Sequence, residues 1–378
     1  MPFQITPSDP TLFTKTLPTK IFYHQENRVW RIAKDVLSVL FLPVGLYRAW
    51  HRVVGFAVVP ASMRELLSKF GFYPATSPTI LEKSLNKLRD LGWTLQRLTI
   101  EADGQQIDAT LLIKPSKDPL NTKNDRWTLY STGNMQQYED VLSDADYCNN
   151  LFGAGNLDTN VLFFNYPGVG KSEGFPSRSG SVKAYQTLLR WLEKEGEAKE
   201  LIGFGHSIGG GIQGEAIANH PKKTDVFYCF IKDRTFSHLS GVAEDITKIR
   251  MPKLGKVLGP IMKKIVELSS WNIQTAKASL RTTHPEIIIQ TWDQAPQEAS
   301  WDEHTYKVVN DEIIDSGRSL ALELANKKHL KETELIAKRL LLVQESHNLP
   351  LGSNPDSIHI LCTTVNKSLA KQKKPEAL

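Results

Sequence analysis

From residue 93 onward the chain alternates between two kinds of hydrophobic pattern. Six runs of apolar, β-branched or aromatic residues, RWTLYST (126–132), NVLFFNY (160–166), ELIGFG (200–205), DVFYCFI (225–231), PEIIIQT (285–291) and RLLLVQE (339–345), have the length and composition of buried strands. Between several of them lie amphipathic stretches such as SVKAYQTLLRWLEKE (181–195). This alternation predicts a mostly parallel sheet of about eight strands with helices on both faces, because a parallel connection needs a crossover that then covers the sheet. Ahead of it, WTLQRLTIEADGQQIDATLLIKP (93–115) holds two alternating segments around Asp103-Gly104, the pattern of an antiparallel hairpin.

Residues 1–92 follow a different pattern and are expected to form a helical, apolar arm ahead of a domain spanning 93–370. Uncharged runs at 36–47 and 53–63 are 12 residues or fewer, while a span of the hydrocarbon core needs about 20, so neither crosses a bilayer alone. Arg48, His51 and Arg52 separate the runs, with Trp30, Tyr47 and Trp50 at their borders. Two readings stay open: a helix pair dipping into a membrane interface, or a helical arm buried against the main domain. Residues 371–378 read as a basic disordered tail.

Composition adds little to this picture. The 378 residues are 40% hydrophobic and 23% charged, ordinary for a globular chain, and the formal charge of +5 is too mild to argue for a nucleic-acid partner. Basic residues cluster near 247–264 and at the C-terminus, which leaves anionic surfaces as partners. Three widely spaced cysteines, Cys148, Cys229 and Cys362, indicate neither a disulfide framework nor a metal knuckle. The polar, Pro-containing first 27 residues do not read as a Sec signal peptide.

The chemistry concentrates where ELIGFG runs into HSIGGG. Gly205-His206-Ser207-Ile208-Gly209 has Gly-x-Ser-x-Gly spacing between a buried strand and a helix, the setting of a nucleophile elbow that lifts Ser207 Oγ clear of the sheet. Gly209, Gly211 and Gly214 also spell a dinucleotide fingerprint, but it begins inside the helix, where no helix N-terminus would meet a phosphate. Gly170-Lys171-Ser172 ends like a phosphate-binding loop, yet Asn165 stands at the required first glycine and Pro167 removes a donor. Neither a cofactor nor a metal is called for.

A serine nucleophile needs a base and an orienting acid, which this architecture supplies later in the chain. His347, in SHNLPLG beyond the last apolar run, is the expected base; His359 falls within a helical pattern. For the acid, Asp311 at the start of DEIIDSGRSLALELANK comes first, Asp293 second and Asp233 third, with Asp302 also in the segment and pairing with Arg234 as Asp233's structural role. The oxyanion needs two backbone N–H donors, expected from Ile208 and from Asn134 or Met135 after Gly133.

The ordered set STGN, NYPGVGKSEG, GHSIGGG, DRTF, DEII and SHNLPLG resembles the α/β-hydrolase superfamily, and more closely the chlamydial CHLPS proteins and the Legionella SidB-type effectors. The likeness covers roughly residues 93–370, and the arm ending in VVPAS is similar to the N-terminal part of that group. It implies an α/β-hydrolase fold and a serine hydrolase acting on a small-molecule or lipid ester, in the bacterial cytoplasm or in a host cell after secretion. NYPGVGKSEG is then the loop after the fourth strand, with Lys171 and Ser172 as turn residues. Thr132 departs from the His-Gly of many relatives, and about 20 residues precede Asp311 after the PEIIIQT strand. A non-catalytic interaction protein and a peptidase on the same fold are the competing readings.

Overall fold

Every one of the six apolar runs becomes a strand in the computed structural model, which describes residues 17–19, 36, 42–70, 76–115, 126–301, 311–326 and 337–373. A short strand β1 (Leu17–Thr19) comes first, followed by α1 (Leu42–Val58), a 3-10 turn at Pro60–Met63, α2 (Arg64–Lys69) and α3 (Pro78–Asp90). The hairpin β2 (Thr94–Ala102) and β3 (Gln105–Ile113) turns through Asp103-Gly104, as its alternation predicts. Then come β4 (Arg126–Ser131), α4 (Tyr138–Leu142), α5 (Ala145–Phe152), β5 (Asn160–Phe164) and α6 (Arg178–Lys194). The segment that carries the chemistry continues as β6 (Glu200–His206), α7 (Ile208–Ile217), β7 (Phe227–Asp233), α8 (Leu239–Arg250), α9 (Gly255–Leu268) and α10 (Thr275–Arg281). It closes with β8 (Glu286–Thr291), β9 (Gln297–Ala299), α11 (Leu320–Ala325), β10 (Lys338–Val343) and α12 (Pro355–Lys373).

All these strands join one sheet in the order β1-β2-β3-β5-β4-β6-β7-β8-β10-β9. The eight longer ones are the expected sheet; β3 runs antiparallel to both neighbours, while β5, β4, β6, β7, β8 and β10 are parallel. The three-residue β1 and β9 extend its edges. Every residue of β5 and β6 is buried, which is why those runs read as continuously apolar rather than alternating. One face packs Tyr185, Leu188 and Trp191 of α6 with Ile212 of α7; the other packs Leu88 of α3, Phe152 of α5 and Leu361 of α12. A buried ion cluster ties three neighbouring strands: Glu286 of β8 accepts from Lys232 of β7, from Lys338 of β10 at 3.1 Å and from Ser279. Cys148, Cys229 and Cys362 are free and buried, and burial pushes the Cys229 and Cys362 thiols up to about 12.

Part of the N-terminal region packs against the main domain. α1 is one helix over residues 42–58, running from the end of the first apolar run across Arg48, His51 and Arg52 into the second. The arginines do not interrupt it, since Arg is a good helix former; His51 Nδ1 lies 3.1 Å from Ser270 Oγ, and Arg52 covers the Phe175 ring at 4.1 Å. Val54, Val59 and Ala61 belong to the main core, and a valine so buried contributes about 1.5–3 kcal/mol. Gly55 permits the approach, since a Cβ there would run into the carbonyl oxygen of Pro176. At the other end, α12 continues to Lys373 where a tail was expected to begin; Gln372 bonds the backbone of Tyr228 and Lys373 pairs with Glu200. Residues 374–378 lie outside the described residues.

Candidate active site

Ser207 sits on the turn between β6 and α7 with φ 53° and ψ −119°, a backbone conformation that a non-glycine residue holds only when its surroundings impose it. They do so through three hydrogen bonds: Ser207 N–H donates to Asp233 O at 2.9 Å, while Ser207 O accepts from Thr235 Oγ1 at 2.5 Å and from Gly210 N–H at 3.1 Å. The two elbow glycines are there for space. A Cβ on Gly205 would come within 2.7 Å of the Gly209–Gly210 backbone, and one on Gly209 would strike the carbonyl oxygens of Ser131 and Thr132.

The loop after β10 brings His347 to this turn. Its Nε2 lies 3.0 Å from Ser207 Oγ, and its Nδ1 lies 2.8 Å from Asp311 Oδ2. A carboxylate only accepts, so Nδ1 carries the proton and Nε2 faces the serine as an acceptor. Asp311 is fully buried, and its other oxygen, Oδ1, accepts the N–H groups of Ile313 at 3.2 Å and Ile314 at 2.6 Å. The backbone joins the pair again, His347 N–H donating to Asp311 O at 2.9 Å. Of the other candidate acids, Asp293 is exposed in the turn after β8, and Asp302 lies outside the described residues. Asp233 is buried but engaged elsewhere, 2.8 Å from His206 Nδ1 and paired with Arg234 through both oxygens at 2.8 Å. Burial alone would raise its carboxyl pKa; Arg234 and His206 hold it well below the usual range instead.

Arg234 has a part that the sequence reading did not assign. Besides gripping Asp233, its guanidinium donates to the carbonyls of Ser346 and, at 2.8 Å, Leu349, so it clasps the loop on both sides of His347. Only the DRTF string hinted at it, since two carbonyl acceptors 112 and 115 residues away leave no local pattern. A buried network similarly holds the turn after β4. Asp108 accepts from Arg97 Nε at 2.7 Å and Nη2 at 2.6 Å, and Asn165 bridges Asp108, Glu139 and the N–H of Tyr138. Asn165 therefore has a structural part in the loop that mimicked a phosphate site; Ser172 there bonds Asn165 O and Asp108 N–H, while Lys171 is exposed.

Ser207, Ile208 and Asn134 line one cavity of about 380 Å³. Asn134 is among its lining residues, whereas Met135 is not and is 37% exposed. Gly133 N–H is already given to Gln136 Oε1 at 3.1 Å, and Asn134 O is tied to Ala61 N–H at 3.3 Å, which links the turn to the N-terminal region. The remaining wall is almost wholly apolar: Val54 and Val58 from α1, Val242 and Ile246 from α8, Ile265 from α9, and Ile314 beside the acid. A wider polar cleft of about 690 Å³, edged by Arg178, Glu215 and Lys277, has none of these residues in its lining.

Comparison with known proteins agrees with this architecture. The family model described as Chlamydia CHLPS protein (DUF818) matches residues 13–369. The chain is similar to alpha/beta hydrolase domain-containing protein WAV2 of Arabidopsis thaliana, 27% identical over 121 residues, which are 32% of this chain and 37% of that protein. It thus spans little more than a third of that relative's length. Among solved structures, an alpha-beta hydrolase from Vibrio vulnificus superposes with a TM-score of 0.53 at 14% identity, covering 85% of this chain and 92% of the other. The Pyrococcus furiosus esterase Pf2001 aligns at a TM-score of 0.49 and 14% identity, over 75% of this chain and 93% of that one. With its sheet order, its strand-to-helix serine turn and a family match over nearly its whole length, the chain has the α/β-hydrolase fold and belongs to the Chlamydia CHLPS protein family.

Proposed function

We propose that this protein is a serine hydrolase that cleaves a carboxylic ester or thioester with an apolar acyl chain. The observation that carries the reading is the hydrogen-bonded series Asp311–His347–Ser207 opening on an apolar cavity. In this reading Ser207 Oγ attacks the acyl carbon while its proton passes to His347 Nε2 at 3.0 Å. Asp311, fixed by the Ile313 and Ile314 amides, holds Nδ1–H and stabilises the imidazolium. The carbonyl oxygen becomes an oxyanion facing the N–H of Ile208, at the unpaired start of α7, and that of Asn134. Collapse breaks the bond to the alcohol or thiol, which leaves with the proton from Nε2. A water then repeats the cycle on the acyl-enzyme, releasing the acid and restoring Ser207.

The acyl group lies against Val54, Val242, Ile265 and Ile314. That wall favours an acyl chain over a peptide, whose backbone groups would go unpaired there. A fluorophosphonate probe tests the reading: it should label the wild type and leave Ser207→Ala unlabelled. Equal labelling of the two, or none of either, ends the serine-hydrolase assignment and favours an interaction protein on the same fold.

A further inference from the structure

The mouth of the cavity is surrounded by apolar side chains left in solvent. On α9, Val257, Ile261 and Leu268 are 67%, 49% and 68% exposed, and Leu254 just ahead of the helix is 57% exposed. At helical spacing these positions share one side of α9, about a quarter-turn from Met262 and Ile265, which line the cavity. α1 repeats the arrangement. Leu46, Trp50 and Val53 are spaced four and three residues apart on its outer face, and Trp50 and Val53 are exposed while also lining the cavity. Both stripes therefore run to the edge of one opening.

We infer that this rim is a docking surface for an anionic lipid bilayer, which presents the acyl substrate at the cavity mouth; the inference rests on the esterase reading of that cavity. An apolar rim of this extent needs an occupant. Charge selects it. Residues 250–268 carry Arg250, Lys253, Lys256, Lys263 and Lys264 against one acid, Glu267. Arg250, Lys253 and Lys256 are exposed, whereas Lys263 is directed to Glu244 and Lys264 to Glu267. A second copy meeting this face by a two-fold axis would bring the same basic patch against its own like charge. An anionic headgroup layer instead matches the lysines while the acyl region takes Val257 and Ile261. None of the described helices is long and apolar enough to cross a membrane, so the contact is at the surface.

The test uses the full chain floated with vesicles of phosphatidylcholine alone or mixed with phosphatidylglycerol. The double variants Val257→Asp/Ile261→Asp and Lys253→Glu/Lys256→Glu touch residues outside the cavity wall. Wild type should float with the mixed vesicles and not with the neutral ones. Both variants should bind at least about tenfold more weakly. They should also hydrolyse a long-chain ester embedded in vesicles more slowly, with unchanged turnover of a short, water-soluble ester. Wild type remaining with the unbound protein, or variants binding as wild type does, overturns the proposal. So does a wild-type dimer that the aspartates split and that binds no vesicle. Vesicle binding without any ester turnover supports the docking surface and removes the esterase reading instead, so the two failures are distinguishable.

Discussion

Replacing Asp311 by asparagine should nearly abolish turnover while leaving the protein folded, and the geometry says why. Oδ1 receives two backbone N–H groups, from Ile313 and Ile314, and Oδ2 receives His347 Nδ1–H. An asparagine in that place must keep its carbonyl oxygen toward the two amides, because turning its NH₂ toward them would set donors against donors. The NH₂ then faces His347 Nδ1, which can accept only if its proton moves to Nε2. With Nε2 protonated, the ring cannot take the proton of Ser207 Oγ 3.0 Å away. The loss expected for such a wrong tautomer is about 10⁴-fold in kcat, roughly 5 kcal/mol of barrier. Stability should change by no more than about 1.5 kcal/mol, since shape and the bonds at Oδ1 persist. Asp311→Ala should instead destabilise by more, about 1–3 kcal/mol for each amide left buried and unpaired. Steady-state hydrolysis of a p-nitrophenyl ester, with urea unfolding of the same samples, measures both. More than about a tenth of wild-type activity in Asp311→Asn refutes the tautomer argument, and an equal loss in Asp293→Asn moves the acid to the turn after β8.

Three further outcomes are expected. Ala57→Trp, which narrows the cavity from the α1 side, should reduce kcat/KM for long-chain esters by more than about tenfold and spare short ones, read from a chain-length series. Glu286→Gln leaves Lys232 and Lys338 buried without their counter-charge and should reduce the unfolding free energy by about 3–5 kcal/mol in urea melts. His284, held down to about 4 by burial against Tyr228 and Phe230, binds fewer protons folded than unfolded between pH 6.5 and about 4. Stability should therefore fall as pH drops through that window, by up to about 1.4 kcal/mol per pH unit from this group, and His284→Phe should flatten the slope of stability against pH.

Local pattern alone determined the strands and the turn on which Ser207 stands. The six apolar runs, the Asp103-Gly104 hairpin and the Gly205–Gly209 spacing are each set by neighbours within a few residues, and periodicity and steric crowding act at that range. Which aspartate meets His347 was decided by the tertiary structure. Asp311, Asp293 and Asp233 all follow apolar runs, but only the packing of the loop after β10 sets a carboxylate 36 residues distant at 2.8 Å, and only long-range pairing with His206 and Arg234 occupies Asp233. The N-terminal runs left both a membrane and a packed reading open, because a short apolar helix is equally compatible with lipid and with a core. The fold divides one helix between core and solvent: Val54 faces inward to the cavity and core, while Leu46 and Tyr47 stay exposed. A helix has several faces, and which of them is buried depends on the surface it meets, here the loop at Pro176 and the walls of α8 and α9.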